Sequence, residues 1–511
     1  MTHSDDAPPA MPQDAHERDR IAEVGSRAWS NPRPAACYQL VIVGAGPAGI
    51  AAAKMAAALG ARVALVESNR TGGSCLNNGS VPSKTIIRTA QLYAEMRDAK
   101  RYGGQIPDDI NVDFPAVMER VRRIRTHLGA GDSVCRLATA GIDMFLGEAC
   151  FSGPGTLMVN GEALRFERAL VATGARPKVP SIPGLTEAGY LTNENVFDLT
   201  ELPRRLMVIG GGPLGCELAQ ALCRLGAQVT IVQDLPLFLG KEERDAAQIL
   251  SDAFARDGIH IRLNTIATAV RVDAGVKQVD LLSDDYRNTV PVDAILTGVG
   301  HSPYVDGLGL EAAGIDVDAA DGIRVDDFLR TSNPRIYAAG DVCLAHKYTH
   351  TAEAAARIVV RNALLGGHER LSALVVPWCT FTDPEIAHVG LYVREANHMD
   401  IPVKTFTIPM HEVDRAVIDS EENGFVKIHV RERTDKILGA TIVARDAGDM
   451  INEITLAMVA GIGLRTLAKV IHAYPTRAAA IQQAAQAYCR TASLQAYRKD
   501  VGAGRCVEDA G

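Results

Sequence analysis

One pattern occurs twice in this chain and limits the fold more than any other. Gln39-Leu40-Val41-Ile42-Val43 is a short apolar run that enters Gly44-Ala45-Gly46-Pro47-Ala48-Gly49, and an alanine-rich stretch then continues to about Leu59. A second apolar run, Arg62 to Val66, stops at Glu67, 23 residues beyond Gly44. These lengths predict a strand, a glycine turn, a helix and a strand that ends in an acid. Leu206-Met207-Val208-Ile209 opens the unit again. It enters Gly210-Gly211-Gly212-Pro213-Leu214-Gly215, continues as a helix to about Leu225 and as a strand from Val229 to Val232, and Gln233 stands 23 residues beyond Gly210.

Two matching units predict two Rossmann-like nucleotide-binding domains in one α/β chain. In each turn one glycine permits the bend, the next lets a pyrophosphate approach the backbone, and the third lets helix and strand pack closely. The free N–H groups and the positive dipole end of the helix hold the phosphates. Gly44, Gly46 and Gly49 are therefore candidate ligands of one dinucleotide, and Gly210, Gly212 and Gly215 of another. Glu67 can accept hydrogen bonds from both hydroxyls of a ribose.

A length of 511 residues suggests about three domains of ~150 residues each. Residues before about Cys37 carry prolines and charges without periodicity and read as a mobile arm. From Pro377 onward, alternating runs such as Gly424 to Val430 mix with a helical segment around Asp449 to Ala460, which reads as a separate α+β domain. Residues after about Tyr488 read as a polar tail. The net charge of -8 gives no electrostatic reason to expect nucleic acid or an anionic membrane as partner. Arg120-Val121-Arg122-Arg123-Ile124-Arg125 reads as the wet face of a helix. No apolar run is long enough to span a bilayer and the N-terminus lacks a signal core, so a cytoplasmic location without membrane insertion is expected. The ten cysteines form no close metal-binding quartet, and no metal site is expected.

Taken together, these motifs resemble the pyridine nucleotide-disulfide oxidoreductase family, which includes dihydrolipoamide dehydrogenase, glutathione reductase and mercuric reductase. The resemblance covers roughly residues 38 to 490. It implies that Gly44, Gly46, Gly49, Glu67 and Gly73 hold the pyrophosphate and ribose of FAD, that Thr173 and Gly174 form the second FAD signature, and that Gly340 and Asp341 reach the ribityl chain. Gly210, Gly212, Gly215, Gln233, Asp234 and Gly300 then surround the nicotinamide cofactor. The implied organisation is an arm at 1–37, a discontinuous FAD domain at 38–190 and 305–375, an NAD(P) domain at 191–304, a dimerisation domain at 376–490 and a tail at 491–511. Pro377-Trp378-Cys379-Thr380-Phe381-Thr382-Asp383-Pro384-Glu385 is most similar to mercuric-reductase-like members. A homodimer is implied.

The redox motif departs from the family. Where the family has two cysteines separated by four residues, this chain reads Cys75-Leu76-Asn77-Asn78-Gly79-Ser80-Val81-Pro82-Ser83-Lys84. Cys75 matches the outer cysteine, and Ser80 stands where the flavin-proximal cysteine would be. A serine hydroxyl forms no disulfide and offers no thiolate. The family's acid-base histidine and its orienting glutamate are replaced by Tyr474 and Ala479, and His472 lies two residues from Tyr474. A tyrosine is a poor base at neutral pH. Mercury chemistry needs thiols to bind and pass on a soft ion, yet the tail offers only Cys489 and Cys506, which are not adjacent.

The flavin-reducing half matches the family. Lys84 corresponds to the lysine near flavin N5 and Glu217 to its ion-pair partner. Asp234 would repel a 2'-phosphate, which argues for NADH over NADPH, while Lys241 is a cation that can offset it. The expected activity is that of an FAD-dependent NAD(P)H oxidoreductase. It passes electrons from flavin directly to a small-molecule acceptor, namely a second nicotinamide, a quinone-like compound or oxygen. One alternative is mercuric-ion or disulfide reduction by Cys75 with another thiol. A further alternative is a redox sensor that binds FAD without efficient turnover.

Overall fold

The computed structural model describes residues 29–107, 110–284 and 286–502, with side chains through residue 494. Most of the predicted N-terminal arm, and Cys506 in the predicted tail, lie outside the described residues. The chain divides into two compact units, 1–236 with 258–374 and 237–257 with 375–511.

The first unit contains both glycine-turn motifs. Strand β1 (Tyr38–Val43), helix α1 (Pro47–Ala58) and strand β2 (Val63–Glu67) form the first repeat. Two helices follow in close succession, α2 (Gly73–Asn78) and α3 (Ser80–Asp98), then α4 (Phe114–Gly129). Strands β3 (Ile142–Leu146), β4 (Ala149–Gly153), β5 (Thr156–Val159) and β6 (Glu162–Val171) complete most of one sheet. Its order is β3-β2-β1-β6-β5-β4. Strand β1 pairs in parallel with both neighbours, so Val41 faces Ala64 on one side and Ala169 on the other.

A parallel strand in this position is buried on both faces, which is why its residues form an unbroken apolar run. Leu40, Ile42 and Leu65 enter one core together with Ala52, Ala53 and Ala56 of α1. Val41, Val43, Ala64 and Val66 enter the core on the opposite face. The alanines of α1 let it approach Ala352, Ala355 and Ala356 in the same core.

The second repeat is β7 (Arg205–Ile209), α5 (Pro213–Arg224) and β8 (Gln228–Val232). With β9 (His260–Arg262) and β10 (Ala294–Thr297) it forms a separate sheet of order β9-β8-β7-β10. The chain then returns to the first sheet through β11 (Ile336–Ala338), which pairs with β6, and continues into helix α6 (Thr349–Leu364).

The basic stretch in α4 overturns the reading of a wet helix face. Arg122 and Arg125 are only 7% and 2% exposed, and Arg123 alone of the four arginines is exposed. Phe114, Val117, Met118, Val121, Arg122 and Arg125 recur at helical spacing on one buried stripe. Two of the arginines reach backbone carbonyls of the neighbouring helices. Arg125 Nη1 donates to Asn77 O at 2.8 Å, and Arg120 Nη1 to Thr85 O at 3.0 Å.

The second unit is an antiparallel sheet of order β12-β13-β16-β15-β14, built from β12 (Pro377–Thr380), β13 (Glu385–Gly390), β14 (Val403–Pro409), β15 (Phe425–Arg431) and β16 (Ile437–Ala444). The short helix α7 (Asp414–Ile418) connects β14 to β15, and helices α8 (Ala447–Val459) and α9 (Ala479–Gly502) follow the last strand. Ile451 and Ile454 from α8, with Ala480, Ile481 and Ala484 from α9, share a core with Ala440 and Ile442. Helix α9 runs on through the first part of the predicted tail. Among the described residues no helix is long and apolar enough to cross a membrane.

The segment 237–257 belongs to this second unit, although in sequence it lies between β8 and β9. Two consecutive glutamates hold it there. Glu242 accepts from the Tyr392 hydroxyl at 2.7 Å and from Trp378 Nε1 at 3.1 Å. Glu243 meets Lys427 Nζ at 2.7 Å and His429 Nε2 at 3.2 Å. Burial acts to raise the Glu243 carboxyl, but hydrogen bonds from His429 and Lys427 and the lysine charge outweigh it and hold the group down to about 2.

This arrangement predicts the acid response of the second unit. A carboxylate whose folded-state value lies below its ordinary one stabilises the fold above about pH 4.5, and that contribution is lost as pH falls towards 2. Glu243→Gln should lower stability at neutral pH by on the order of 2 kcal/mol. It should also flatten the acid-induced loss between those two values. Denaturant unfolding followed through Trp378 fluorescence across this range measures both, and equal pH slopes in the two proteins would contradict the assignment.

Candidate active site

The two glycine turns have the same internal geometry. Gly44 N–H donates to Val66 O at 2.8 Å, and Gly210 N–H donates to Val232 O at 2.8 Å. Gly44 has φ +101°, and a side chain there would place Cβ 2.4 Å from Ala172 O. Gly49 leaves no room either, since its Cβ would fall 1.8 Å from Gly44 O. Gly215 stands in the same relation to Gly210 O, at 2.3 Å. These are positions where backbone meets backbone, and any larger residue forces them apart.

The residue ending each second strand reaches back to its own turn. Glu67 Oε2 accepts from Ala45 N at 2.7 Å, while Oε1 accepts from Asn69 N at 2.8 Å. Gln233 Oε1 accepts from Gly211 N at 2.6 Å, and its Nε2 donates to Asp234 Oδ1 at 2.9 Å. Burial raises the Glu67 carboxyl, against the lowering effect of these backbone donors. Each turn is thus braced by a side-chain oxygen, and Glu67 also meets the backbone donors of Ser68, Asn69 and Arg70.

The first turn sits in a built cleft. Gly44, Glu67 and Thr173 line it together with Ala149, Tyr304 and Asp306. Thr173 Oγ1 donates to Tyr304 O at 2.7 Å, and Gly174 O accepts from Tyr304 N at 2.9 Å. Around Gly46 the space is open, for an added Cβ would meet only Gly73 Cα, at 3.8 Å. Gly340 lies 3.5 Å, measured from its ideal Cβ, from both Ala48 and Ala352, which brings Asp341 to the same end of α1 and α6. Burial raises the Asp341 carboxyl, with Lys347 opposing. The hydroxyls of Thr71 and Thr351 are buried and find no partner among the described residues. An open glycine cradle edged by unsatisfied hydroxyls fits an extended dinucleotide.

Around the second turn the structure brings in a residue the sequence reading missed. Gly298 meets the turn, with its carbonyl 2.6 Å from the ideal Cβ of Gly210 and its own ideal Cβ 3.6 Å from Gly215 Cα. Gly212 begins α5, and Asp234 is exposed at the end of β8.

Lys84 and Glu217 do meet. Lys84 Nζ lies 2.7 Å from Glu217 Oε2, with the glutamate 4% exposed and the lysine 35%. The pair links α3 to α5. Cys75 is half-buried in α2, and Ser80 opens α3 with its side chain exposed. Gly79 alone separates the helices, and its ideal Cβ would lie 2.8 Å from Ser74 O and 3.3 Å from Cys75 Cα, so the chain folds back on the turn that carries Cys75. The nine cysteines among the described residues form no disulfide with one another. Among the described residues no three His, Cys, Asp or Glu side chains gather as a metal-ligating group.

His472 and Tyr474 lie in the second unit, each beside a carboxylate that sequence reasoning did not name. His472 Nε2 is 3.0 Å from Glu453 Oε1. The Tyr474 hydroxyl donates to Asp414 Oδ2 at 2.8 Å, while its ring is 78% exposed. That hydrogen bond and the Asp414 charge raise the phenol, keeping its proton in place.

Residues 38–357 match the pyridine nucleotide-disulphide oxidoreductase family and residues 376–485 match its dimerisation domain. A mercuric reductase from Streptomyces lividans is 34% identical over 88% of this chain and 96% of its own. A dihydrolipoyl dehydrogenase from Chlamydia muridarum is 31% identical over 86% of this chain and 94% of its own. Among solved structures, the HOCl-induced flavoprotein disulfide reductase RclA from Escherichia coli superposes with a TM-score of 0.78 at 30% identity, covering 87% of this chain and 99% of RclA. The chain belongs to the pyridine nucleotide-disulphide oxidoreductases, a family of oxidoreductases whose cofactors are FAD and NAD(P)H.

Proposed function

We propose that this protein oxidises NAD(P)H through FAD and delivers the electrons directly to a small-molecule acceptor that is not a disulfide. A second nicotinamide, a quinone-like compound and oxygen are the acceptor classes. The observation that carries this reading is Ser80, placed at the start of α3 five residues beyond Cys75, where a second sulfur would be needed for a relay. Bound FAD supplies the chemistry of taking a hydride from the nicotinamide and releasing the electron pair.

The protein's own groups support the first half of that sequence. Gly44, Gly46, Gly49 and Gly73 keep the turn at the start of α1 clear of side chains for the FAD pyrophosphate, and Glu67 stands at the strand end beside it for the ribose. Gly210, Gly212 and Gly215 do the same for the nicotinamide cofactor. Asp234 at the edge of the second turn disfavours a 2'-phosphate, so NADH is the preferred donor. Lys84 stabilises negative charge on the flavin side, and Glu217 fixes its position. Tyr474, kept protonated by its hydrogen bond to Asp414, does not serve as the base.

The second unit supports a homodimer. Leu456 and Val459 are each 66% exposed and Ile471 is 92% exposed, all within the region that matches the dimerisation domain. Such a face is costly to leave in water. Analytical ultracentrifugation at low micromolar concentration should show a dimer, and a strictly monomeric, fully active holoenzyme would refute it.

Replacing Lys84 isolates the cation. Lys84→Met should retain FAD but slow its anaerobic bleaching by NADH about 10- to 100-fold, with Glu217→Gln acting in the same direction to a smaller extent. Stopped-flow absorbance measures this, and an unchanged rate would remove Lys84 from the reaction.

Electron counting tests the central reading. Anaerobic titration should take up two electrons per FAD, without the long-wavelength band that a proximal thiolate gives against oxidised flavin. Ser80→Cys should raise the capacity to four after mild oxidation. Uptake of more than two electrons by the unaltered protein would point to a second thiol partner for Cys75 and to disulfide or mercuric-ion reduction. Absence of rapid bleaching would instead leave a flavin-binding sensor.

A further inference from the structure

We propose that Arg125 is a positioning residue that locks the corner between α2 and α3, the segment that carries Cys75, Ser80 and Lys84. The proposal rests on reading that corner as the flavin-facing segment. Helix α2 spans only Gly73–Asn78, and the chain turns through Gly79 directly into α3. So short a helix has little cooperativity of its own, and its last carbonyls have no partner within it. Tertiary contacts must hold it.

Those contacts come from two places. Arg125, 2% exposed, reaches out of α4 and donates to Asn77 O at 2.8 Å. Asn193, 7% exposed, donates from Nδ2 to Asn78 O at 3.3 Å. The final two carbonyls of α2 are therefore capped in succession, the first by a cation at the negative end of the helix. Asn77 completes the arrangement, since its Nδ2 donates back to Thr71 O at 3.0 Å and to Gly73 O at 2.8 Å.

Both caps are anchored to the segment that leads into the nucleotide half. Arg125 Nη2 lies 3.9 Å from Asp198 Oδ1. Asn193 sits between Leu191, which bridges to Leu296 in β10, and Asn195, whose Oδ1 accepts from Thr192 N at 2.8 Å. Helix α3 is tied to the same half at two more points, through Lys84 to Glu217 at 2.7 Å and through Arg97 Nη1 to Arg224 O at 2.6 Å. The corner is thus fixed by the buried donors Arg125 and Asn193 and by the Lys84–Glu217 ion pair. An arginine suits this task because its planar fork reaches a carbonyl and a carboxylate at once.

The test reads the geometry of the corner as a thiol equilibrium in the holoenzyme. In a Ser80→Cys background the thiols at positions 75 and 80 give up two electrons and two protons to one oxidised glutathione, which leaves as two reduced molecules while the protein disulfide forms. The equilibrium constant reports how well the corner holds the two sulfurs together. Adding Arg125→Met should lower it at least tenfold, and Arg125→Lys, which keeps the charge and one donor, should recover part of the loss. Arg120→Met is the control, because Arg120 bonds Thr85 O and Thr89 Oγ1 along α3 and not the corner; it should change the constant less than twofold. If Arg125→Met fails to fold, Asn193→Ala must lower the constant in the same direction. Equal constants for the Arg125 and Arg120 variants, or no effect of Asn193→Ala, would overturn the proposal. The measurement involves no electron acceptor, so it stands or falls separately from the proposed acceptor class.

Discussion

Glu217 is almost fully buried, and Lys84 meets its carboxylate at 2.7 Å and offsets the cost of that burial. The pair joins α3, which leads away from the redox motif, to α5, which begins at the second glycine turn. Breaking it would strand one charge in the interior, a cost of several kcal/mol, on the order of 3 to 5. The same contact therefore does two things. It holds the two nucleotide-binding halves of the first unit together, and it delivers a fixed positive charge to the place where the proposed hydride transfer occurs.

The glycine turns impose the second constraint, and they were legible because their geometry is local. Gly44 and Gly49 lie five residues apart and touch each other, so the sequence spacing alone dictates the fold of the turn. The burial of β1 on both faces was legible for the same reason, as an unbroken apolar run. Side chains that act across long sequence separations were not. Arg122 and Arg125 look like surface charge until the backbone of α2 supplies the carbonyls that draw Arg125 inward, 48 residues away. Glu242 and Glu243 carry no local signal, because their partners Trp378, Tyr392, Lys427 and His429 lie over 130 residues further on. Gly298 went unnamed because its packing on the turn, 88 residues from Gly210, leaves no local signal.

The candidate site shows the same division. Cys75, Ser80, Lys84 and Glu217 were identified from motif positions, and the structure brings Lys84 and Glu217 into contact. The carboxylates beside His472 and Tyr474 were invisible, because Glu453 and Asp414 come from other helices. The Tyr474–Asp414 contact changes the chemistry expected of that loop. A carboxylate that accepts from a phenol raises its pKa and holds the proton, so the loop presents a protonated phenol where a thiol-reducing enzyme would need a base.

Ser80 and Tyr474 thus depart from disulfide chemistry in the same direction, one by removing the sulfur and the other by removing the base. Neither departure disturbs the frame. Ser80 is an exposed side chain at a helix start, and the groups that cap the preceding helix, Arg125 and Asn193, bind backbone carbonyls that any residue would provide. A sulfur can therefore be lost at position 80 without loosening the corner. Lys84, one turn along the same helix, keeps its partner regardless. The physical separation between a backbone-held corner and its replaceable side chains is what lets a serine stand at position 80 while the Lys84–Glu217 pair stays in place.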